Sequence, residues 1–216
     1  MAPRKANQPT LTRDQIVAAA ITVVDREGLE GLSMRKLGDE LGMSPMSLYY
    51  HVPDKSALYD LILEAVMNDI DMSADDPSEP AEERIVAGFY ALRTALLAHP
   101  NAVQLTLSRS LRTAGQLRPV EALLGMLFDA GLSPTEAVTA TDVIGQYVYG
   151  STAAYANHVA DTEYHDVLRE NDFTAVTPEE FPNMTRAVAQ GEYLGFDGEF
   201  ERGIRVLVRG FLALSD

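Results

Sequence analysis

The nine consecutive residues Ser44-Pro45-Met46-Ser47-Leu48-Tyr49-Tyr50-His51-Val52 gather side chains that a plain solvated surface rarely collects. Tyrosine and serine hydroxyls bond phosphate oxygens, serine reads base edges, and methionine or proline meets thymine methyl groups. Leu48 and Val52, four apart, can face a core, which leaves Pro45, Met46, Ser47, Tyr49, Tyr50 and His51 on the outside of one short helix. Upstream, Ser33 and Arg35 stand at the start of another short helix, and the Arg35 guanidinium can fork onto guanine O6 and N7. Downstream, Lys55 offers its charge to a phosphate that a helix N-terminus already favours. These residue types suit a mixed phosphate and base interface rather than bond-making chemistry.

Such side chains work only if short helices hold them at fixed angles, and the sequence supplies the start and stop signals. Thr12-Arg-Asp-Gln15 is a capping box, and Ile16, Ala20 and Val23 then place an apolar stripe on one helical face until Gly28 ends it. Ser33 can cap a second helix in which Met34, Leu37 and Leu41 recur, and Gly42 allows the left-handed conformation that closes it. Only Met43 separates that break from Ser44-Pro45, an N-cap followed by proline at the first helical position, so a third helix runs to about His51. A short helix, a tight glycine turn and another short helix form the arrangement in which the second helix enters a DNA major groove. A fourth helix runs from Lys55 with Leu58, Leu61, Ile62, Ala65 and Val66 on one face, and the acidic stretch DIDMSADDPSEP reads as a linker.

The rest of the chain has the same period. Helices are expected at about Ala81 to His99, Val103 to Thr113, Pro119 to Ala130, Ser133 to His158, Pro182 to Gln190 and Gly198 to Leu214, with no competing strand pattern. The eighth is rich in small residues (Ala140, Gly145, Gly150, Ala153, Ala154), and the tenth carries Phe200, Gly203, Ile204, Leu207, Phe211 and Leu214 as one apolar stripe. The expected fold class is all-α with about ten helices: a tail at residues 1–10, a three-helix helix-turn-helix head within 11–70, and a larger ligand-binding and dimerisation domain over 71–216. Residues 161–181 are acidic and without clear period.

Composition narrows the alternatives. The 216 residues carry a net charge of −15, which argues against general polyanion binding, so any nucleic-acid role must be local. Residues 1–60 hold seven basic and eight acidic side chains, and nearly all the excess acid lies beyond them. The absence of cysteine removes disulfides, thiolate metal sites and cysteine nucleophiles, and a reducing cytoplasm suits the chain. No apolar run approaches the length of a membrane span, so neither export nor a membrane partner is expected.

Residues 11 to 63 resemble the DNA-binding domain of the TetR family of bacterial repressors. The match joins Gly31-Leu32-Ser33-Met34-Arg35 at the entry to helix two, the Leu41-Gly42 turn, Leu48-Tyr49-Tyr50-His51 at the end of helix three, and the following Lys55 and Leu58. The resemblance implies phosphate contacts at Ser33, Tyr49, Tyr50, His51 and Lys55, and base contacts among Arg35, Pro45, Met46 and Ser47, with Ser44 opening the recognition helix. The later half is similar to the tetracycline-repressor subgroup through ALRTALLAHP, the Gly131-Leu-Ser entry to a long helix, and Gly145 to Gly150. That similarity implies a homodimer through helices eight and ten, a palindromic double-stranded operator, and a small organic effector.

The same subgroup holds magnesium and drug with a histidine on helix six, a glutamate on helix eight and a histidine late in helix four. The matching positions here are Leu105 or Thr106, Ala154, and a residue near Asp71. The expected cavity is therefore mainly apolar, without metal or cofactor, walled by Phe89, Leu92, Leu105, Leu123, Val138 and Tyr155, with Gln146 and Tyr147 as polar anchors. Other readings are weighed against these. His99, at a helix end before Pro100, serves the helix dipole more readily than a ligand. His158 and His165 with Asp161, Glu163 and Asp166 could hold a metal, but an acidic solvated loop explains them better. An all-helical enzyme lacks any recognisable nucleophile, base and orienting group, and a regulator of the same fold could act as an activator or without an effector.

Overall fold

The computed structural model describes residues 11–159, 177–190 and 194–215. Within them the chain forms ten α-helices and no strand: α1 Arg13–Gly31, α2 Met34–Leu41, α3 Pro45–Tyr49, α4 Lys55–Asn68, α5 Ala81–Ala98, α6 Val103–Ser108, α7 Ala114–Asp129, α8 Pro134–Val159, α9 Pro182–Gln190 and α10 Gly195–Leu212. A single 3-10 turn, Pro100–Ala102, joins α5 to α6. The tail at 1–10, most of the acidic stretch at 161–181 with His165, Asp161, Glu163 and Asp166, and the His158 side chain lie outside the described residues.

The expected caps are in place. Thr12 Oγ1 accepts from the Gln15 amide while Gln15 returns a bond to the Thr12 amide, and Gly28 interrupts α1 with φ +73°. Ser133 and Glu136 make the same reciprocal pair at the start of α8. Ile16, Ala20 and Val23 of α1 bury completely against Leu37, Leu48, Val52, Leu58 and Ile62, so α1–α4 share a small core. That core continues through Val66, Met67 and Ile70 into Phe89, Leu96, Leu123, Ile144, Val148 and Phe200 of the later helices.

Two boundaries differ from the sequence reading by five residues, and α10 begins at Gly195, three residues before the expected Gly198. Helix α7 begins at Ala114, not at Pro119, because Thr113 and Gln116 form a capping box and Pro119 sits one and a half turns in, buried. Helix α6 ends at Ser108, not at Thr113. Arg109 leaves the helix there in an extended conformation to donate to Asp60 Oδ1 at 2.7 Å and to Ser56 Oγ at 2.8 Å and carbonyl at 3.1 Å. A tertiary ion pair thus overrides a local helical pattern.

Candidate nucleic-acid interface and effector cavity

The turn between α2 and α3 is fixed by two glycines. Gly42 holds φ +64°, and a Cβ on Gly38 would meet the Met43 carbonyl oxygen at 2.7 Å, so neither position accepts a side chain without strain. Ser33 caps α2 through the Lys36 amide and Ser44 caps α3 through the Ser47 amide, with Pro45 at the first helical position. Each cap uses a hydroxyl oxygen as acceptor, which leaves the hydroxyl hydrogen of Ser33 free to donate outward.

Leu48 and Val52 are fully buried, and the remaining side chains of α3 and its end face away from the core. Tyr50 is 88% exposed and Met46 69% exposed, values far above those of aromatic and thioether groups placed for packing. Tyr49, His51, Ser33, Ser44 and Arg35 are exposed, and Pro45, Ser47 and Lys55 partly so. The cations divide sharply. Arg26 is tied to Glu27 and Glu40, and Lys36 to Glu27, whereas Arg35 and Lys55 have no ion pair among the described residues. Lys55 Nζ stands 5.3 Å from the centre of the Tyr59 ring. The amides at the start of α4 are not open to a phosphate in the way the sequence suggested, because the Asp54 carboxylate caps them through the Ala57 amide at 2.7 Å. Attraction there falls to the Lys55 charge alone.

Helix α4 runs from this face to an interior cavity of about 30 Å³. Met67 and Ile70 at the far end of α4, Phe89 and Leu92 of α5, Pro119, Val120 and Leu123 of α7, and Thr141, Gly145 and Tyr149 of α8 enclose it. Of the wall read from sequence, Phe89, Leu92 and Leu123 are there. Leu105 is buried outside that lining. Val138, 51% exposed, and Gln146, also exposed, point away from it. The inward face of α8 is Ala137, Ala140, Ile144 and Val148 with Thr141, Gly145 and Tyr149 beside it, so Val138 and Gln146 sit on the opposite side of the helix. The polar groups at the cavity are Thr141 and Tyr149. Of the helix-eight tyrosines whose hydroxyls the sequence offers to a ligand or to the core, Tyr147, Tyr149 and Tyr155, only Tyr149 lies in this lining, and the spacing of four from Thr141 through Gly145 to Tyr149 is the signal that places Thr141 beside it. Burial raises the Tyr149 phenol above its ordinary value.

Tyr147 and Tyr155 belong to a different cluster. Tyr147 stacks on Phe200 at 5.7 Å and donates to the Glu199 carbonyl, while Tyr155 meets Phe196 edge-on. The buried Arg93 guanidinium lies 4.3 Å from the Phe200 ring centre and 5.7 Å from that of Tyr155, and reaches Asp197 at 2.7 Å. Phe200 and Ile204, read as part of an outward stripe, are 2% and 0% exposed and belong to the core of this chain, and Leu207 and Phe211 are half-buried against it. What α10 and the turn after it leave open is Val206 and Leu214, at 63% and 56% exposure, with open space at Gly210. On α8 the open side carries Val138, Thr139, Asp142, Val143, Gln146 and Gly150.

Arg109 and Gln116 also join α4 to the later part of the chain, beside the apolar core. Arg109 holds Ser56 and Asp60, and its hydrogen bond keeps the Asp60 carboxyl below its ordinary range. The buried Gln116 amide donates to the Asp60 carbonyl. Neither residue was singled out from sequence, since both act through partners more than 45 positions away.

This arrangement of helices has a counterpart in known proteins. Residues 16–62 match the profile of bacterial regulatory proteins of the tetR family, and residues 76–214 that of the tetracyclin repressor-like C-terminal domain. The chain belongs to the TetR family. An HTH-type transcriptional regulator of Saccharopolyspora erythraea is 34% identical, with 96% of this chain and 87% of that protein covered. The HTH-type transcriptional repressor DrrR1 of Streptomyces coeruleorubidus is 32% identical, over 88% of this chain and 69% of its own length. Among solved structures, the TetR family protein ActR of Streptomyces coelicolor in complex with actinorhodin superposes with a TM-score of 0.84 at 26% identity, covering 95% of this chain and 99% of that one. This TetR-family chain is thus a DNA-binding transcriptional regulator, and its named relatives set aside the all-helical enzyme. Among the described residues no helix is long and apolar enough to cross a membrane.

Proposed function

We propose that this regulator is a cytoplasmic homodimeric repressor whose residues 11–70 bind a palindromic operator and whose residues 71–216 release it on binding a small organic molecule. The observation that carries the reading is the α3 face: two exposed tyrosines, Met46 and His51, flanked by Arg35 and Lys55, neither of which forms an ion pair among the described residues. In a protein of charge −15, affinity has to come from such a local face. Ser33, Tyr49, Tyr50, His51 and Lys55 hold phosphates, and Arg35 with Pro45, Met46 and Ser47 reads bases. Two copies meet through the open stripes of α8 and α10, which carry valines and glycines where a second helix can approach closely. The effector site is the apolar cavity, and ActR's complex with actinorhodin supports an organic ligand.

Transmission follows from α4. Its 14 residues make a rod of roughly 20 Å with Lys55 at one end and Met67 at the cavity end. A cavity of about 30 Å³ has room for a water or two and must open several-fold to admit a drug-sized molecule. Opening pushes on Met67 and Ile70 and tilts α4, which moves α3 out of register with half-sites 34 to 36 Å apart, roughly one turn of DNA. A hundredfold preference of the effector for the opened state supplies about 2.7 kcal/mol toward release. The small cavity also favours a second reading, a regulator of the same fold without an effector. In vitro operator selection followed by release assays across a library of apolar metabolites and antibiotics, with and without EDTA, decides between them. The proposal expects an inverted repeat and metal-independent release; a site without two-fold symmetry, or release that needs a divalent metal, contradicts it.

A further inference from the structure

Helix α1 runs in two stretches that meet at Gly28, whose φ of +73° and ψ of 174° leave the helical path. In an uninterrupted helix the Asp25 carbonyl would take the N–H of Leu29, four residues on, and the break at Gly28 redirects the chain between them. Asn101, in the 3-10 turn Pro100–Ala102, brings a donor to that place. Its Nδ2 donates to the Val24 carbonyl at 3.1 Å and to the Asp25 carbonyl at 3.0 Å, so both hydrogens of the amide are spent on α1. Beyond the kink, the Leu29 carbonyl accepts from the Tyr59 hydroxyl of α4 at 3.2 Å. The stretch before the kink is thus held by the later part of the chain, and the stretch after it by the DNA-binding head itself.

The head joins the rest of the molecule along α4, whose buried side chains run on through Val66, Met67 and Ile70 into Phe89 and Leu123. Arg109 and Gln116 add polar contacts, and both grip that same rod. A single rod resists tilting better than it resists rotation about its own axis. The Pro100–Ala102 turn bonds instead to α1, a separate helix beside α4, and a restraint placed off the axis opposes the rotation that the rod leaves free. Ala102 and Val103 are buried at this contact, and His99 Nδ1 lies 2.9 Å from Asp25 Oδ2. His99 meets a side chain that can swing with it, whereas Asn101 holds the backbone of α1.

We propose that Asn101 is a positioning residue that sets the angle of the head about α4, and with it the spacing between operator half-sites that the protein accepts. In the homodimer on a palindromic operator proposed above, on which this inference rests, both recognition helices must reach their major grooves together. One added base pair moves a half-site by about 3.4 Å and turns it by roughly 35°. A head free to turn about α4 follows that change, and a head stapled through Asn101 does not. Asn101 acts through α1 on the Ser33 and Arg35 end of α2 and on α3, and not on the DNA.

The test is equilibrium binding of the full-length protein to duplexes that carry the selected half-site as an inverted repeat, with the spacer shortened and lengthened one base pair at a time, and to a duplex with one half-site alone. The unaltered protein should lose at least about tenfold in affinity for a change of one base pair, the scale of a mismatched pair. Asn101→Ala and Asn101→Asp, which remove both donors, should cut that loss to less than about threefold while binding the single half-site within about twofold of the unaltered protein. Gln104→Ala, in the same groove and with no side-chain hydrogen bond to α1 among the described residues, should keep the full preference. A loss of stability alone lowers affinity at every spacing alike and leaves the preference as it was. A narrow preference that both Asn101 variants retain overturns the staple and leaves the palindromic dimer standing. An unaltered protein indifferent to spacing removes the dimer reading and the staple with it. If one of the two variants does not fold, the other decides.

Discussion

Gln116→Ala puts a number on the seam between α7 and α4. The side chain is 1% exposed; Oε1 accepts from the Arg112 amide at 2.7 Å and the Thr113 amide at 3.1 Å, and Nε2 donates to the Asp60 carbonyl at 3.1 Å. Three hydrogen bonds at a net ~1 kcal/mol each come to about 3 kcal/mol, and the Asp60 carbonyl left without its donor adds to that. For a chain of this length the loss corresponds to a fall in Tm of roughly 6 to 12 °C. Urea and thermal unfolding, run at equal protein concentration because association shifts both, measure it directly. Gln116→Glu should fall between the two, since it keeps the acceptor for both amides and loses the donor to Asp60. A loss below about 1 kcal/mol for Gln116→Ala would refute the seam.

Three further outcomes are expected. Val206→Glu should shift the protein from dimer to monomer in sedimentation velocity while leaving its helical content unchanged, whereas Ile204→Glu should unfold it, because Ile204 has no exposed surface; a Val206→Glu dimer removes α10 from the interface. Hydrogen bonds from Arg109, Arg84 and Arg209 hold the carboxyls of Asp60, Asp75 and Glu82 below their ordinary values of 3.8 and 4.5, so their contribution is complete above that range and lost as the pH falls through it. Tm should therefore drop between pH 5 and about pH 3, and a flat profile there would contradict these pairs. Gly145→Ala should raise stability by about 1 kcal/mol, since the new Cβ meets only Tyr149 at 3.8 Å and alanine favours helix; destabilisation would show that the α8 wall of the cavity is packed otherwise.

The parts of the molecule that were legible in the sequence are those decided within a few residues. Gly42, Ser44 and Pro45 determine the turn by their own backbone preferences, and the capping boxes at Thr12 and Ser133 use partners three residues away. Illegible parts depend on partners far along the chain. Arg109 stops α6 because Asp60 lies opposite it, and His99, read as serving its own helix end, spends its ring on Asp25, 74 positions earlier. The division of α3 into a buried side, Leu48 and Val52, and an exposed side was legible because the helix packs on one side only. The cavity wall was not, because α8 is covered on more than one side and its apolar pattern does not say which face meets α7. The pattern alone therefore points to Val138 and Gln146, where the structure places Thr141 and Gly145.

The central claim is that α2 and α3 read an operator, with Arg35, which forms no ion pair among the described residues, contacting a base. Equilibrium binding of Arg35→Ala and Arg26→Ala to one selected operator duplex at physiological salt tests it most directly. Arg26 is held by Glu27 and Glu40, so its removal should change Kd by less than about twofold. If Arg35 forks onto a guanine in each half-site as proposed, losing about 1 to 3 kcal/mol per half-site should raise Kd at least tenfold and relax the base preference at that position. Full affinity and unchanged preference in Arg35→Ala would contradict the account.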